Sequence, residues 1–211
     1  GRFILMGDAD GSYDFREGVA MVETLAEGYD LCMGTRLKGR IEPGAMPWKN
    51  RYLGNPVLSA VLNLFFRSGL SDAHCGLRAF TREAFERMEL VSTGMEFASE
   101  IVVKAAMLGL KRTERPITLH PDQRQRPPHL KPWHDGWRHL KFLLVYSPRW
   151  CFFIPALLLI LVGSLVLGGL LCTPPAEVLR LGPIWFGDHW LFLVMGAVAV
   201  GYQAGILGVA A

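Results

Sequence analysis

Residues 2–14 read Arg-Phe-Ile-Leu-Met-Gly-Asp-Ala-Asp-Gly-Ser-Tyr-Asp. Phe3 to Met6 is a short apolar run that stops at Gly7, the pattern of a buried strand. Two carboxylates follow, Asp8 and Asp10. Along an extended backbone, residues i and i+2 project to the same side, so both acids are expected to face one point. In an open α/β sheet, ligands bind at the carboxyl ends of the strands. Two hard oxygen donors there suit Mg²⁺ or Mn²⁺, which in turn can hold the phosphates of a nucleotide. The plain alternative is a polar turn, because Asp and Gly are ordinary turn residues.

Two other readings of this stretch compete. A calcium loop of the EF-hand type needs Gly at position 6 and Glu at position 12. Counted from Asp8, those positions are Tyr13 and Val19, so the loop is excluded. An apolar strand ending in Asp-x-Asp-Gly-Ser also resembles the nucleophile motif of haloacid-dehalogenase-type phosphatases. That family needs a later acidic pair after another strand. The later Gly187-Asp188 lies beside an apolar run instead.

The 211 residues leave room for one or two domains. Hydrophobic residues make up 51%, and the mean hydropathy is +0.25. The excess is local. Cys151 to Cys172 carries no charge, and a second apolar run extends from about Trp190 to Ala211. Each is long enough to cross a bilayer, which takes ~20 apolar residues. Neither is N-terminal, so neither is a signal peptide. Between Lys111 and Arg149 the basic residues outnumber the acids Glu114, Asp122 and Asp135. In the loop after the first span, Arg180 is balanced by Glu177 and Asp188. The positive-inside rule then places residues 1–149 in the cytoplasm and the Thr173 to His189 loop outside. A basic run can signify nucleic acid, but one directly before a membrane span favours anionic lipid headgroups. Cys32, Cys75, Cys151 and Cys172 show no CxxC spacing and read as reduced thiols.

Helical periodicity predicts a helix over Asp14 to Glu27 on the face Phe15, Val19, Val22 and Leu25, ended by Gly28. Tyr29 to Thr35 follows as a strand, and strand–helix–strand order predicts a parallel α/β unit. Arg36 to Trp48, with two Gly and two Pro, reads as a loop. Asn50 to Phe66 reads as a helix with Leu53, Val57, Val61, Leu64 and Phe65 on its apolar face, kinked or started late by Pro56. A strand at Leu77 to Phe80, a helix capped by Thr81 and running to Met88, and a helix over Met95 to Leu108 ended by Gly109 come next. Lys111 to Leu119 is a strand that Pro116 assigns to a sheet edge. His120 to Pro132, which includes Arg124 and Arg126, is a loop. Over Trp133 to Tyr146, Trp133, Trp137, Leu140 and Leu144 share a face flanked by Arg138 and Lys141. Trp with basic neighbours before a span is the pattern of a helix in the membrane interface, the alternative being a core-facing helix.

Taken in order, Asp8-Ala-Asp10, Gly34-Thr35-Arg36, Arg51, the Asp72 to Arg78 run with its Cys-Gly-Leu-Arg, and Gly94-Met95-Glu96-Phe97 resemble the polyprenyl-phosphate glycosyltransferases. These are family-two enzymes like dolichyl-phosphate mannose synthase. The resemblance covers about residues 3–145. It implies a partial GT-A (Rossmann-like, mostly parallel) α/β domain over 1–128, an interfacial helix region over 129–149 and two transmembrane helices over 150–211. It implies a nucleotide-sugar donor (UDP- or GDP-sugar), a polyprenyl-phosphate acceptor and Mg²⁺ or Mn²⁺. Asp8 and Asp10 match the catalytic, metal-binding DxD acids. Ser12 stands where such synthases can place a metal-binding Gln, which puts the third ligand in doubt. Arg36 and Arg51 match arginines suited to the acceptor phosphate. Asp72, Arg78 and Glu96 match positions near the donor and acceptor pockets.

The family's first half, which grips the nucleotide base, has no counterpart here, so the chain reads as a fragment. The Gln-x-x-Arg-Trp signature of processive synthases is missing, because Tyr146-Ser147-Pro148 precede Arg149-Trp150. The expected function is therefore transfer of a single sugar, metal-dependent and inverting. It would occur on the cytoplasmic face of an integral membrane protein of the bacterial inner-membrane kind. A phosphatase or a non-catalytic membrane-anchored binding module are the alternatives, and the sequence leaves homo-oligomerisation open.

Overall fold

Strand β1 (Phe3–Met6) leads through a turn into helix α1 (Gly18–Ala26) and then strand β2 (Leu31–Ile41). A π-helical turn (Asn50–Gly54) runs into helix α2 (Asn55–Phe66), followed by β3 (Arg78–Thr81), α3 (Arg82–Met88), α4 (Phe97–Met107), β4 (Arg112–Leu119) and α5 (Pro132–Val145). A second π-helical turn (Arg149–Phe153) opens α6 (Ile154–Cys172), then a two-strand ribbon of β5 (Leu179–Leu181) and β6 (Ile184–Phe186), and α7 (His189–Ala210). This computed structural model describes residues 1–94, 96–123, 132–174, 179–181, 184–187 and 189–210. Arg124 and Arg126, Met95, Glu177 and Asp188 lie outside the described residues. The chain divides into two units, Gly1–Leu143 and Leu144–Ala211.

The sheet order in the first unit is β1-β3-β2-β4. β3 lies antiparallel between β1 and β2, and only β2 with β4 pair in parallel. The mostly parallel sheet expected from the sequence is thus a mixed one, still consistent with part of a GT-A domain. β1 and β2 do point the same way, as their crossover helix requires, but they are not neighbours. The reason is β3, which starts at Arg78 opposite both Met6 and Met33. Its short run RAFT gave no sign of its direction. β4 is an edge strand, as Pro116 indicated.

Two helices turn a different face inward from the one their periodicity suggested. α1 buries Gly18, Met21, Thr24 and Leu25, and it leaves Phe15 and Val19 exposed. Gly18 is the cause. A Cβ there would collide with Leu5, so the helix comes close to β1 through its glycine. α2 continues from the π-helical turn at Asn55 with Pro56 in its first turn; it buries Ser59 and Leu62, and Leu53, Val57 and Leu64 are exposed. β2 also continues through Arg36 to Ile41, beyond the predicted loop boundary, with a bulge between Thr35 and Arg40. On α5, His139 and Leu143 are buried, while Trp137 and Leu140 are exposed. α3 is capped by Thr81, whose Oγ1 accepts the Ala84 N–H at 3.1 Å.

In the second unit, Arg149–Cys172 (24 residues) and His189–Val209 (21 residues) contain 18-residue windows of mean hydropathy 2.6 and 1.8 respectively. Both helices are long and apolar enough to cross a membrane. They pack together through glycines. A Cβ at Gly163 would fall 2.7 Å from Val198, and one at Gly201 would fall 3.0 Å from the Ala156 carbonyl.

Candidate active site

The antiparallel entry of β3 gathers three segments at one rim. Met6 near the end of β1 and Met33 in β2 both pair with Arg78, the first residue of β3. The Asp8–Asp10 loop, Arg36 and the 71–77 loop therefore all emerge there. The backbone does not run extended through the two acids, as expected, but turns at Ala9 and Asp10. Asp10 Oδ1 accepts the Ser12 N–H at 3.0 Å, an Asx turn. Gly11 takes φ +79°, which favours glycine. The loop is latched to the chain after β4 by Gln123 N–H to the Asp10 carbonyl and His120 N–H to the Ser12 carbonyl, both 3.0 Å. Ser12 is buried, and its backbone shapes this turn.

Asp8 is exposed, and its carboxylate lies against Gly76 so closely that a Cβ there would collide with it. The Gly76 N–H in turn donates to the Tyr13 hydroxyl at 3.1 Å. Burial, followed by the charge of Cys75, pushes the Tyr13 phenol pKa well above its usual range, so it stays neutral. Gly76 has no left-handed φ, so alanine would be tolerated by the backbone, and the nearest atoms its Cβ would meet belong to Asp8 and Tyr13. Gly76→Ala is expected to cost roughly 100-fold in turnover by displacing Asp8. Its melting temperature should fall only slightly, and kinetics beside thermal unfolding would check both.

Asp72 is fully buried and grips Arg36 in a fork, with Nε to Oδ2 and Nη2 to Oδ1 both 2.7 Å. The Arg36 backbone N–H adds a third bond at 3.0 Å. Burial alone would lower the Arg36 pKa, but the bonds to Asp72 outweigh it and raise it, so the guanidinium is locked as a cation. Glu114 of β4 holds Asp72 in turn. Its carboxylate accepts the Ser71 N–H at 2.5 Å, the Asp72 N–H at 3.2 Å and Lys38 Nζ at 2.8 Å. Arg78 is buried without a carboxylate partner among the described residues. Nη2 donates to the Cys75 carbonyl at 2.6 Å and Nη1 to the Ala98 carbonyl at 3.2 Å, while Nε has no partner. Burial lowers its pKa, and the nearby charges of Cys75 and Asp8 oppose that shift.

Glu96 and Arg51 are placed differently. Glu96 pairs with Arg138 of α5 at 2.6 Å, so it ties that helix to the domain. Arg51 sits exposed on the first π-helical turn, over the Tyr52 ring at 5.4 Å. Exposed Trp48, Tyr52, Leu53 and Val57 surround its stretch of chain. Sequence reasoning weighed His74 as a metal ligand or a polar loop residue, but it missed the roles of Glu114 and Tyr13 and the buried Ser99 and His139 that His74 meets. Their partners lie tens of residues away, so no local spacing pointed to them.

Among the described residues, no three His, Cys, Asp or Glu side chains cluster to hold a metal. Two carboxylates nonetheless fit Mg²⁺ or Mn²⁺, which are usually held by one or two carboxylates, water and substrate phosphates.

No family model matches the sequence. Individual proteins do. The chain is 45% identical over 190 residues to the low-salt glycan biosynthesis hexosyltransferase Agl6 of Haloferax volcanii, an alignment spanning 90% of this chain and 44% of that protein. It is 36% identical over 134 residues to the glycosyltransferase AglJ of the same organism, covering 64% of this chain and 44% of that one. A polyprenol monophosphomannose synthase of Mycolicibacterium smegmatis is 30% identical over 119 residues, 53% of this chain and 43% of the synthase. The chain spans less than half the length of these relatives. These alignments make the chain similar to glycosyltransferases, one of them a polyprenol monophosphomannose synthase.

Proposed function

We propose that the protein transfers a single sugar from a nucleoside-diphosphate sugar, UDP- or GDP-linked, to a polyprenyl phosphate at the cytoplasmic face of a membrane. The observation that carries this reading is the shared rim. The charge of exposed Asp8 acts on buried Arg78, and the partly buried Arg36–Asp72 pair belongs to the same rim, in a chain whose relatives are named glycosyltransferases. Asp8 and Asp10 would hold Mg²⁺ or Mn²⁺, which supplies positive charge against the departing diphosphate.

A polyprenyl phosphate has a second pKa of about 6 and is largely dianionic at neutral pH. It is already nucleophilic, and no side chain has to remove a proton. The chain's task is to orient it and offset part of its charge. Arg36 is fixed by Asp72 with Nη1 outside the fork, and exposed Arg51 lies among apolar side chains that suit a lipid surface. Direct displacement at the anomeric carbon then gives inversion. The two apolar helices and the exposed Trp137 face of α5 support a membrane location for the acceptor.

The test is the full-length protein in membranes with labelled nucleotide sugars and polyprenyl phosphate, with and without chelator. Label is expected in the lipid fraction, lost on chelation and carried with inverted anomeric configuration. A retained configuration would sink direct displacement. Free phosphate without glycolipid would favour the phosphatase reading, and no turnover of any donor would favour a binding module.

A further inference from the structure

Three side chains from three separate segments meet beside the rim. His74 comes from the loop before β3, Ser99 from α4 and His139 from α5. The two Nε2 atoms face each other at 2.7 Å. Ser99 Oγ stands 2.5 Å from His139 Nε2 and 3.2 Å from His74 Nε2. Ser99 and His139 are buried. For the two rings to bond here, one must donate through Nε2 and the other accept there, with Ser99 Oγ within reach of both. The neighbouring Arg138–Glu96 pair and buried Leu143 fix α5 on the same side. On the other side, His74 lies two residues after Asp72 and four before Arg78.

We propose that His139, on the helix preceding the first apolar span, is a positioning residue for the Arg36–Asp72 pair and acts through its imidazole-to-imidazole bond with His74. This rests on the transferase reading, because Arg36 is the group that would meet the acceptor phosphate. The helix nearest the membrane would thereby set the loop that fixes the acceptor's cation.

The charges around His74 keep the contact closed. Arg36 of β2, Arg78 of β3 and His139 of α5 oppose a second proton, and Asp72 of its own loop favours one. Burial is the largest effect, and together they push His74 down to about 3. The bond therefore persists across about pH 5 to 8, where an ordinary histidine would titrate.

The experiment compares His139→Gln, which keeps a polar group near the Nε2 position, with His139→Leu, which keeps volume and removes the bond. Both are made in the full-length protein in membrane vesicles. One readout is glycolipid synthesis. The other is peptide-resolved maleimide labelling of Cys75, buried in the same loop, with buried Cys32 of β2 as the control for global unfolding. In His139→Leu, kcat/KM for polyprenyl phosphate should fall at least tenfold with the KM for the sugar donor unchanged. Cys75 should label at least tenfold faster while Cys32 stays protected. His139→Gln should stay within threefold of wild type in both readouts. Equal behaviour of the two variants, or Cys75 as protected in His139→Leu as in wild type, would overturn the proposal. Joint opening of Cys75 and Cys32 would also overturn it, by reducing His139 to a folding role. Release of Cys75 in His139→Leu alone, with no glycolipid even from wild type, would support the coupling and sink the transferase reading.

Discussion

Asp10→Ala is expected to abolish glycolipid formation, with turnover falling by roughly a thousandfold or more, as when a principal electrostatic group is removed from an active site. Two things are lost at once. One is a carboxylate for the cation, and the other is the acceptor for the Ser12 N–H that shapes the turn. Asp10→Asn separates them, because the amide oxygen can still accept from Ser12 while the charge is gone. If the charge is what matters, asparagine should be as inactive as alanine, and excess Mn²⁺ should restore little. Labelled-lipid assays on both variants decide the point. Near-wild-type turnover by Asp10→Asn would end the metal proposal for this residue.

Asp72→Ala should have the largest effect on stability. It leaves Arg36, with 11% of its side chain exposed, as an uncompensated cation. Breaking a buried pair by removing one partner costs about 3–5 kcal/mol. That is a large fraction of the roughly 5–15 kcal/mol that holds a domain together. Thermal unfolding of the full-length protein should show the drop, and transfer should vanish with it. The double variant Arg36→Met, Asp72→Leu provides the check. Two apolar side chains in place of the pair should recover most of the stability and none of the activity. A double variant as unstable as Asp72→Ala would show that the unpaired charge is not the cause.

The elements that follow local rules were legible in the sequence. Thr81 caps α3, Gly28 and Gly109 close their helices with positive φ, and Pro116 marks an edge. What failed depended on partners elsewhere in the chain. The inward face of α1 follows from Gly18 meeting Leu5, a packing event that periodicity cannot contain. The place of β3 is a decision between two strands whose paired residues lie more than 40 residues upstream of it. The site divides in the same way. Asp8 and Asp10 were read from a strand end and their spacing, and Arg36, Asp72 and Arg78 from a resemblance; the structure pairs Arg36 with Asp72 and opens β3 at Arg78. Glu114 was read only as one acid among many bases, because its task depends on amides 42 and 43 residues away.

The buried side of α5 also bears on how this protein should be dissected. A water-soluble piece made to avoid the apolar helices would naturally be cut after β4, where the sheet ends. That cut would remove Arg138, His139 and Leu143 together. It would strip Glu96 of its counter-ion and open the His74 loop beside the rim. The workable boundary lies past Leu143, even though the segment before it looks in sequence like part of the membrane anchor.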